Sequence, residues 1–126
     1  MNVPSELRYT KSHEWVRTLP NNVVEIGLTD HAQEALGDLV FVNLPQEDDE
    51  VSTGETLADV ESVKAVSDVY SPVSGRVIAV NEELLDAPQR INEDAYAAWM
   101  VRVELSAEPE GLLGAEEYEK AVEEEA

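Results

Sequence analysis

Hydrophobic residues in the first four-fifths of the chain come in short runs separated by turn residues, and they do not recur at helical spacing. Short runs of valine, isoleucine and leucine are typical of β-strands. The runs at 13–18 and 22–27 meet at Leu19-Pro20-Asn21-Asn22, whose proline and asparagines favour a turn, so these runs predict a hairpin. Further strands are predicted at 39–45, 56–63, 66–71, 76–80 and 99–105. The pattern therefore predicts a mainly β domain.

Three segments carry helical signals. Thr29 is a good N-cap and Gly37 a good helix stop, so a two-turn helix is predicted over 29–37. Asn81 is expected to cap a short helix over 81–86. Near the end of the chain, apolar residues spaced three and four apart predict an amphipathic helix over about 110–124, followed by fraying glutamates. These apolar residues are Leu112, Ala115, Tyr118 and Val122.

The central strands 56–63, 66–71 and 76–80 are predicted to form a three-stranded meander. Their connections would be Lys64-Ala65 and the Pro-Val-Ser-Gly turn at 72–75, in which proline presets one dihedral and glycine supplies positive φ. In the last strand, alternate positions are expected to face inward. The inward set is Trp99, Val101, Val103 and Leu105, and the outward set is Met100, Arg102 and Glu104.

Length, cysteine content and net charge limit the number of domains and the kinds of chemistry and partner to expect. A chain of 126 residues is the size of one domain, and we expect a single domain over 1–126. The absence of cysteine excludes disulfides, thiolate nucleophiles and cysteine-ligated metals. A net charge of −20 opposes binding to nucleic acid or to anionic membranes. No apolar stretch is long enough to span a bilayer and the first residues lack a secretory pattern, so we expect a cytoplasmic protein.

The acidic excess also suggests a hypothesis about the host. The chain has 28 acidic residues and three lysines, and concentrated salt screens the self-repulsion that such a surface creates. A halophilic host would explain this composition, and the alternative is an ordinary, very acidic soluble protein. A thermal melt that is no less stable at low salt than at molar salt would remove the halophile hypothesis.

A search for catalytic and metal-binding patterns finds no glycine-rich phosphate loop, GxSxG elbow, HExxH motif or EF-hand loop. His13 and His31 lie in separate predicted elements, and nothing in their spacing requires them to meet. We therefore interpret them as hydrogen-bonded histidines rather than as a metal pair, and predict no metal site. The acidic run at 47–50 lacks the ligand spacing of a calcium loop and is interpreted as a solvated turn.

Lys64 stands out because two predicted strands must reverse beside it with almost no connecting residues. Its side chain is expected to project from a hairpin tip. An exposed lysine is usually a solubilising residue, whereas a rigid tip is also a place where an enzyme can attach a cofactor to an ε-amine. The position of Lys64 alone favours a solubilising role. The surrounding sequence favours cofactor attachment instead.

The segment 54–77 contains Glu61-Ser62-Val63-Lys64-Ala65 followed by a Ser-Pro-Val-Ser-Gly turn. It closely resembles the lipoyl-attachment region of the glycine cleavage system H-protein family, in which Glu-Ser-Val-Lys-Ala carries the modified lysine. Segments 9–15, 26–33, 36–45 and 112–118 are similar to the same family in order and spacing. Biotin carrier domains usually place methionines beside the acceptor lysine, and lipoyl domains of 2-oxoacid dehydrogenases usually carry aspartate before it, unlike this chain.

The resemblance implies a lipoyl/biotinyl-type flattened β-barrel or hybrid-motif sandwich with short helices and a C-terminal helix. It implies lipoate bound covalently to Lys64, in a carrier that is not itself an enzyme. The carrier would take the aminomethyl group of glycine from a pyridoxal-phosphate glycine decarboxylase to a tetrahydrofolate-dependent aminomethyltransferase, and pass electrons to dihydrolipoamide dehydrogenase. The alternative is a relay protein that donates lipoyl or octanoyl groups to other enzymes.

The resemblance also nominates residues around the attachment point. Ser12, Glu14 and Asp68 match family positions and would line a cleft that shelters the loaded arm. Their alternative roles are a turn cap for Ser12 and ordinary surface acids for Glu14 and Asp68. Glu61 would help the lipoylating enzyme recognise the tip, with a simple cross-strand charge as the alternative.

Two places depart from the family pattern. Ala95, Ala97 and Ala98 stand where the family usually shows a proline and two glycines, and Asp48 stands where glycine is common. Alanine tolerates positive φ poorly. The segment 92–99 therefore either changes conformation or never required left-handed glycines.

Overall fold

The computed structural model describes residues 2–125 and contains two antiparallel sheets flanked by short helices. The strands are β1 (Arg8–Tyr9), β2 (Glu14–Leu19), β3 (Val23–Leu28), β4 (Leu39–Asn43), β5 (Glu50–Val51), β6 (Thr56–Ser62), β7 (Val66–Tyr70), β8 (Gly75–Val80) and β9 (Val101–Leu105). The helices are α1 (Asp30–Leu36), α2 (Glu83–Asp86), α3 (Arg90–Glu93) and α4 (Ala115–Glu125).

The larger sheet has the order β1-β2-β3-β9-β8-β5 and the smaller one the order β4-β6-β7. Alternate residues of both sheets contribute to one apolar cluster, as expected for two sheets packed face to face. This cluster includes Val24 and Ile26 from β3, Val60 from β6 and Val69 from β7. The predicted mainly β class is confirmed, and of the two predicted forms the sandwich describes the arrangement.

A second apolar cluster lies on the other face of the larger sheet, where α4 and the first residues pack. Trp15 on β2 stands directly opposite Gly27 on β3, and its indole nitrogen donates to the Ala95 carbonyl at 3.0 Å. Tyr118 of α4 stacks on Tyr9 with ring centroids 4.7 Å apart. The stacking of Tyr118 on Tyr9 holds the C-terminal helix against β1, which pairs with the strand that carries Glu14.

The predicted meander of three central strands is wrong at its second connection. β6 pairs with β7, but β8 pairs with β9 and β5 in the larger sheet. The segment between β7 and β8 crosses from one sheet to the other, and its Val73 is 0% exposed. A hairpin turn would lie at the surface, whereas this segment passes through the core.

The C-terminal helix begins later than the predicted residue 110. Leu113 instead forms a β-bridge with Tyr9, and the two backbones exchange hydrogen bonds of 2.8 Å. The helix begins at Ala115 and stays helical to Glu125, in place of the fraying expected for the last glutamates. The bridge explains the late start because it holds the chain extended up to that point.

Two local predictions in the second half are also corrected. Asn81 does not cap α2 with its side chain, since its amide donates to the Trp99 carbonyl at 2.8 Å. Met100 is buried rather than outward, and regular strand structure begins after it at Val101. The Met100 amide donates to the Ile26 carbonyl at 2.8 Å, which keeps this residue against the core.

The backbone φ angles show how the chain accommodates its two departures from the family pattern, at segment 92–99 and at Asp48. Among the non-glycine residues of 2–125, positive φ occurs at His13, Asn21, Asn22 and Asp48, so the alanines of segment 92–99 are not strained. Asp48 has φ 75°, the left-handed region that glycine adopts most readily and aspartate tolerates. The preference for glycine at this position thus has a backbone cause. No helix within 2–125 is long and apolar enough to cross a membrane.

Candidate functional site

Lys64 lies at the tip of the hairpin formed by β6 and β7. The tip is closed by a bond from the Ser62 amide to the Ala65 carbonyl at 2.8 Å. The Ser62 hydroxyl accepts from the Lys64 amide at 3.3 Å and from the Ala65 amide at 3.0 Å. Sequence reasoning assigned Ser62 no role, although a serine just before a tight turn is a recognisable signal for this arrangement.

Lys64 itself is exposed at the tip. Its neighbour Val63 and the first residue of β7, Val66, are 73% and 70% exposed. Among the described residues, no carboxylate lies within ion-pair distance of the Lys64 amine. The Val63 amide donates to the Asp38 carbonyl at 3.2 Å, so the loop after α1 supports the tip from one side. The backbone is held while the lysine is presented to solvent.

Glu61 is half-buried on β6, one residue before Ser62. Its direct partners in the sheet are Phe41 on β4 and Val66 on β7. Both of these partners are apolar, and their side chains are 50% and 70% exposed.

Glu14 is only 1% exposed, so the reading of this residue as a surface acid is wrong. Its Oε1 accepts hydrogen bonds from the hydroxyls of Thr10 and Ser12, both at 2.6 Å. Its Oε2 accepts the backbone amide of Tyr70 at 3.3 Å. These bonds satisfy a buried charge, as the cost of its desolvation requires. They also join Ser12 and Glu14 to the end of β7.

Asp68 is exposed on the outer face of β7, which it shares with Val66 and Tyr70. It stands directly opposite Asp59 on β6. Like charges in this position repel each other, and a cation beside them relieves the repulsion. The strand spans roughly 14 Å from Val66 to Tyr70 at its normal rise. β7 therefore connects the hairpin tip to the buried Glu14, and Asp68 lies on this strand between them.

The two histidines, which nothing in their spacing required to meet, are close together. The rings of His13 and His31 have centroids 4.6 Å apart. Burial lowers the pKa of His13, and this outweighs the opposite effect of the nearby Glu125 carboxylate. Burial raises the pKa of Tyr118, whose hydroxyl lies 2.7 Å from His13 Nδ1. Local sequence gave no signal for this contact.

Comparisons with known proteins agree over nearly the whole chain. The sequence profile of the family described as glycine cleavage H-protein matches residues 7–125. The glycine cleavage system H protein of Lachnoclostridium phytofermentans is 58% identical over 125 residues, covering 99% of this chain and 98% of that protein. Its counterpart in Staphylococcus epidermidis is 51% identical over 125 residues, covering 97% and 98%.

A solved structure has the same fold. The crystal structure of a glycine cleavage system H protein from Mycobacterium marinum superposes with a TM-score of 0.91 at 41% identity, covering 96% of this chain and 99% of that chain. With the hairpin tip, the profile and these relatives in agreement, the chain belongs to the glycine cleavage H-protein family.

Proposed function

We propose that Lys64 is the residue on which this chain carries lipoate in the glycine cleavage system. Proteins of this family are carrier subunits rather than enzymes, and they hold lipoate covalently on a lysine. The observation that carries the proposal is the position of Lys64, exposed on a fixed turn and without an ion-pair partner among residues 2–125. Lipoate bound there would supply a disulfide, of which one sulfur would take up the aminomethyl group while the other becomes a thiol.

The residues of the tip fit such an attachment. Ser62 fixes the turn, so the lysine leaves the protein at a defined place. An amide at the ε-amine removes the lysine charge, which allows the extended side chain to enter a buried active site without a desolvated cation. The exposed Val63 and Val66, with Glu61 beside them, offer the lipoylating enzyme an apolar surface with one acid.

The partners follow from the carrier role. They are a pyridoxal-phosphate glycine decarboxylase, a tetrahydrofolate-dependent aminomethyltransferase, dihydrolipoamide dehydrogenase and a lipoylating enzyme. Attachment to a compact carrier raises the local concentration of the arm at whichever enzyme the carrier contacts. We place this cycle in the cytoplasm, and the acidic surface with a net charge of −20 suits a salt-rich cell.

Ser12, Glu14 and Asp68 would hold the cationic amine of the cargo near the protein. Support comes from the unneutralised pair of Asp68 and Asp59 and from the route along β7 to Glu14. A carboxylate beside a bound ammonium forms a charge-assisted hydrogen bond, which slows escape into water. Asp68 is exposed and able to make first contact, while Glu14 adds a buried negative charge behind it.

Incubation of the lipoylated chain with glycine and glycine decarboxylase tests the proposal. Mass spectrometry should show that the chain gains one aminomethyl group. A chain that gains none under conditions in which a known H protein does would contradict the carrier role.

The rate at which the loaded chain loses this group tests the cleft. Asp68→Asn and Glu14→Gln should lose the group several-fold faster than the unchanged chain, because each removes one negative charge. Glu108→Gln, an exposed acid on a distant loop, serves as the control. Equal decay in all four proteins would remove the cleft role.

A further inference from the structure

Three side chains from separate elements meet beside the N-terminal end of β2. His13 precedes β2, His31 lies on α1 and Glu125 is in the last turn of α4. One ligand atom from each lies within 4.8 Å of the other two. The Glu125 Oε2 atom is 3.1 Å from His13 Nε2 and 3.8 Å from His31 Nε2.

These separations suit a small cation between the three atoms. Zinc binds imidazole nitrogen and carboxylate oxygen at about 2.0–2.1 Å in tetrahedral geometry, which places neighbouring ligand atoms about 3.3 Å apart. The separations of Glu125 Oε2 from the two histidine nitrogens, 3.1 and 3.8 Å, lie on either side of that value, and the two histidine nitrogens lie within 4.8 Å of each other. Small rotations of the exposed Glu125 and the partly exposed His31 would complete the geometry. His13 and His31 are partly exposed, so a water molecule can reach the fourth position.

A second set of contacts orients His13. Its Nδ1 lies 2.7 Å from the hydroxyl of the buried Tyr118, which lies 2.7 Å from the hydroxyl of Thr29. In the tautomer whose Nδ1–H donates to Tyr118, the lone pair of Nε2 faces the Glu125 carboxylate. Metal-binding histidines commonly use their other nitrogen in this way. His13 is also held at φ 74°, a backbone conformation that non-glycine residues adopt uncommonly.

The charge around the cluster favours a cation. The last turn of α4 contains no basic residue, and it ends in Glu123, Glu124 and Glu125. The carboxyl end of a helix carries partial negative charge, which the glutamates increase. A bound cation would neutralise this end of α4 and hold it against α1 and β2.

We propose that His13, His31 and Glu125 form a binding site for one divalent transition-metal ion, with Zn²⁺ as the best match. Two imidazoles and a carboxylate favour zinc-like ions over Mg²⁺ or Ca²⁺, which prefer sets of oxygen ligands. The ion clamps the C-terminal helix to the start of β2. This site is independent of the carrier role of Lys64, and a failure of either proposal leaves the other standing.

Calorimetric titration of Zn²⁺ into the untagged full-length lipoylated chain tests the site. The lipoyl group is kept as its disulfide, because a dithiol would bind zinc itself, and millimolar Mg²⁺ occupies the exposed carboxylates. One ion per chain is expected to bind. His31→Gln and Glu125→Gln should each weaken binding more than about tenfold, since loss of an outer partner alone costs about 10–100-fold.

Glu124→Gln, the exposed neighbour on the same turn, is the matched control and should bind Zn²⁺ as the unchanged chain does. Thermal melting gives a second readout: a hundredfold excess of Zn²⁺ over its dissociation constant should raise the melting temperature by about 10 °C, an increase that Glu125→Gln loses. Absence of saturable binding, or equal affinity in Glu125→Gln and Glu124→Gln, would overturn the site. His31 and Glu125 are chosen because His13 also contacts the buried Tyr118.

Discussion

Lys64→Arg is expected to reduce glycine oxidation to the level of a reaction without carrier. The reaction is followed as NADH formation with glycine decarboxylase, aminomethyltransferase and dihydrolipoamide dehydrogenase, after treatment of the chain with a lipoylating enzyme. Arginine keeps the positive charge and the length of the side chain, but its guanidinium stays protonated and does not offer an amine for acylation. This single substitution of an exposed side chain should therefore abolish all carrier-dependent NADH formation.

The loss should not come from unfolding. Lys64 is exposed, and among the described residues its amine takes part in no ion pair, so the substitution should change stability by less than about 0.5 kcal/mol. Lys120→Arg, at an exposed lysine on α4, is the control and should keep full activity. NADH formation by Lys64→Arg above the carrier-free level would contradict the assignment of the lipoyl group to this residue.

Gly75→Ala is expected to destabilise the fold by more than about 3 kcal/mol. Gly75 begins β8, where a β-carbon would lie 2.1 Å from the backbone oxygen of Glu104 and 2.8 Å from Val103 Cγ1. A backbone atom in a paired strand cannot move aside as a flexible side chain can. The β8–β9 pairing would have to open, and a domain of this size has only about 5–15 kcal/mol of stability.

Thermal melting measures this effect, and a fall in melting temperature of about 10 °C or more is expected for Gly75→Ala. Gly114→Ala is the matched control because the nearest atom to its added carbon, Glu117 Oε1, lies 3.7 Å away. It should melt within a few degrees of the unchanged chain. A Gly75→Ala protein that melts as the control does would show that the two strands are not this close.

Local patterns predicted much of this fold because many of its elements depend on neighbouring residues. Thr29 caps α1 through its hydroxyl and Gly37 follows that helix at φ 81°, as the sequence indicated. The strands β1 and β5 escaped prediction because two residues are too few to show an alternating pattern, and β5 also pairs with a strand far along the chain, β8. The crossing from β7 to β8 escaped it for a similar reason, since a Pro-Val-Ser-Gly segment fits a turn and a crossover equally well.

In the candidate site too, the features set by neighbouring residues were predicted, and those set by contacts between distant residues were not. Lys64 was predicted because its motif and turn are contiguous in sequence, and the structure presents it on the predicted tip. The burial of Glu14 could not be predicted, because its hydrogen bond to the Tyr70 amide joins residues 56 positions apart. The contact of His13 with His31 and Glu125 depends on where α1 and α4 pack. Contacts of this kind require the tertiary structure.

We propose that this chain carries one lipoyl group, on Lys64. Intact-mass measurement of the protein purified from its native host, with peptide mapping of the segment that contains Lys64, tests it most directly. We expect a mass increase of one lipoyl group, confined to the peptide with Lys64 and absent from those with Lys11 and Lys120. An unmodified Lys64 in cells that make lipoate would contradict this assignment.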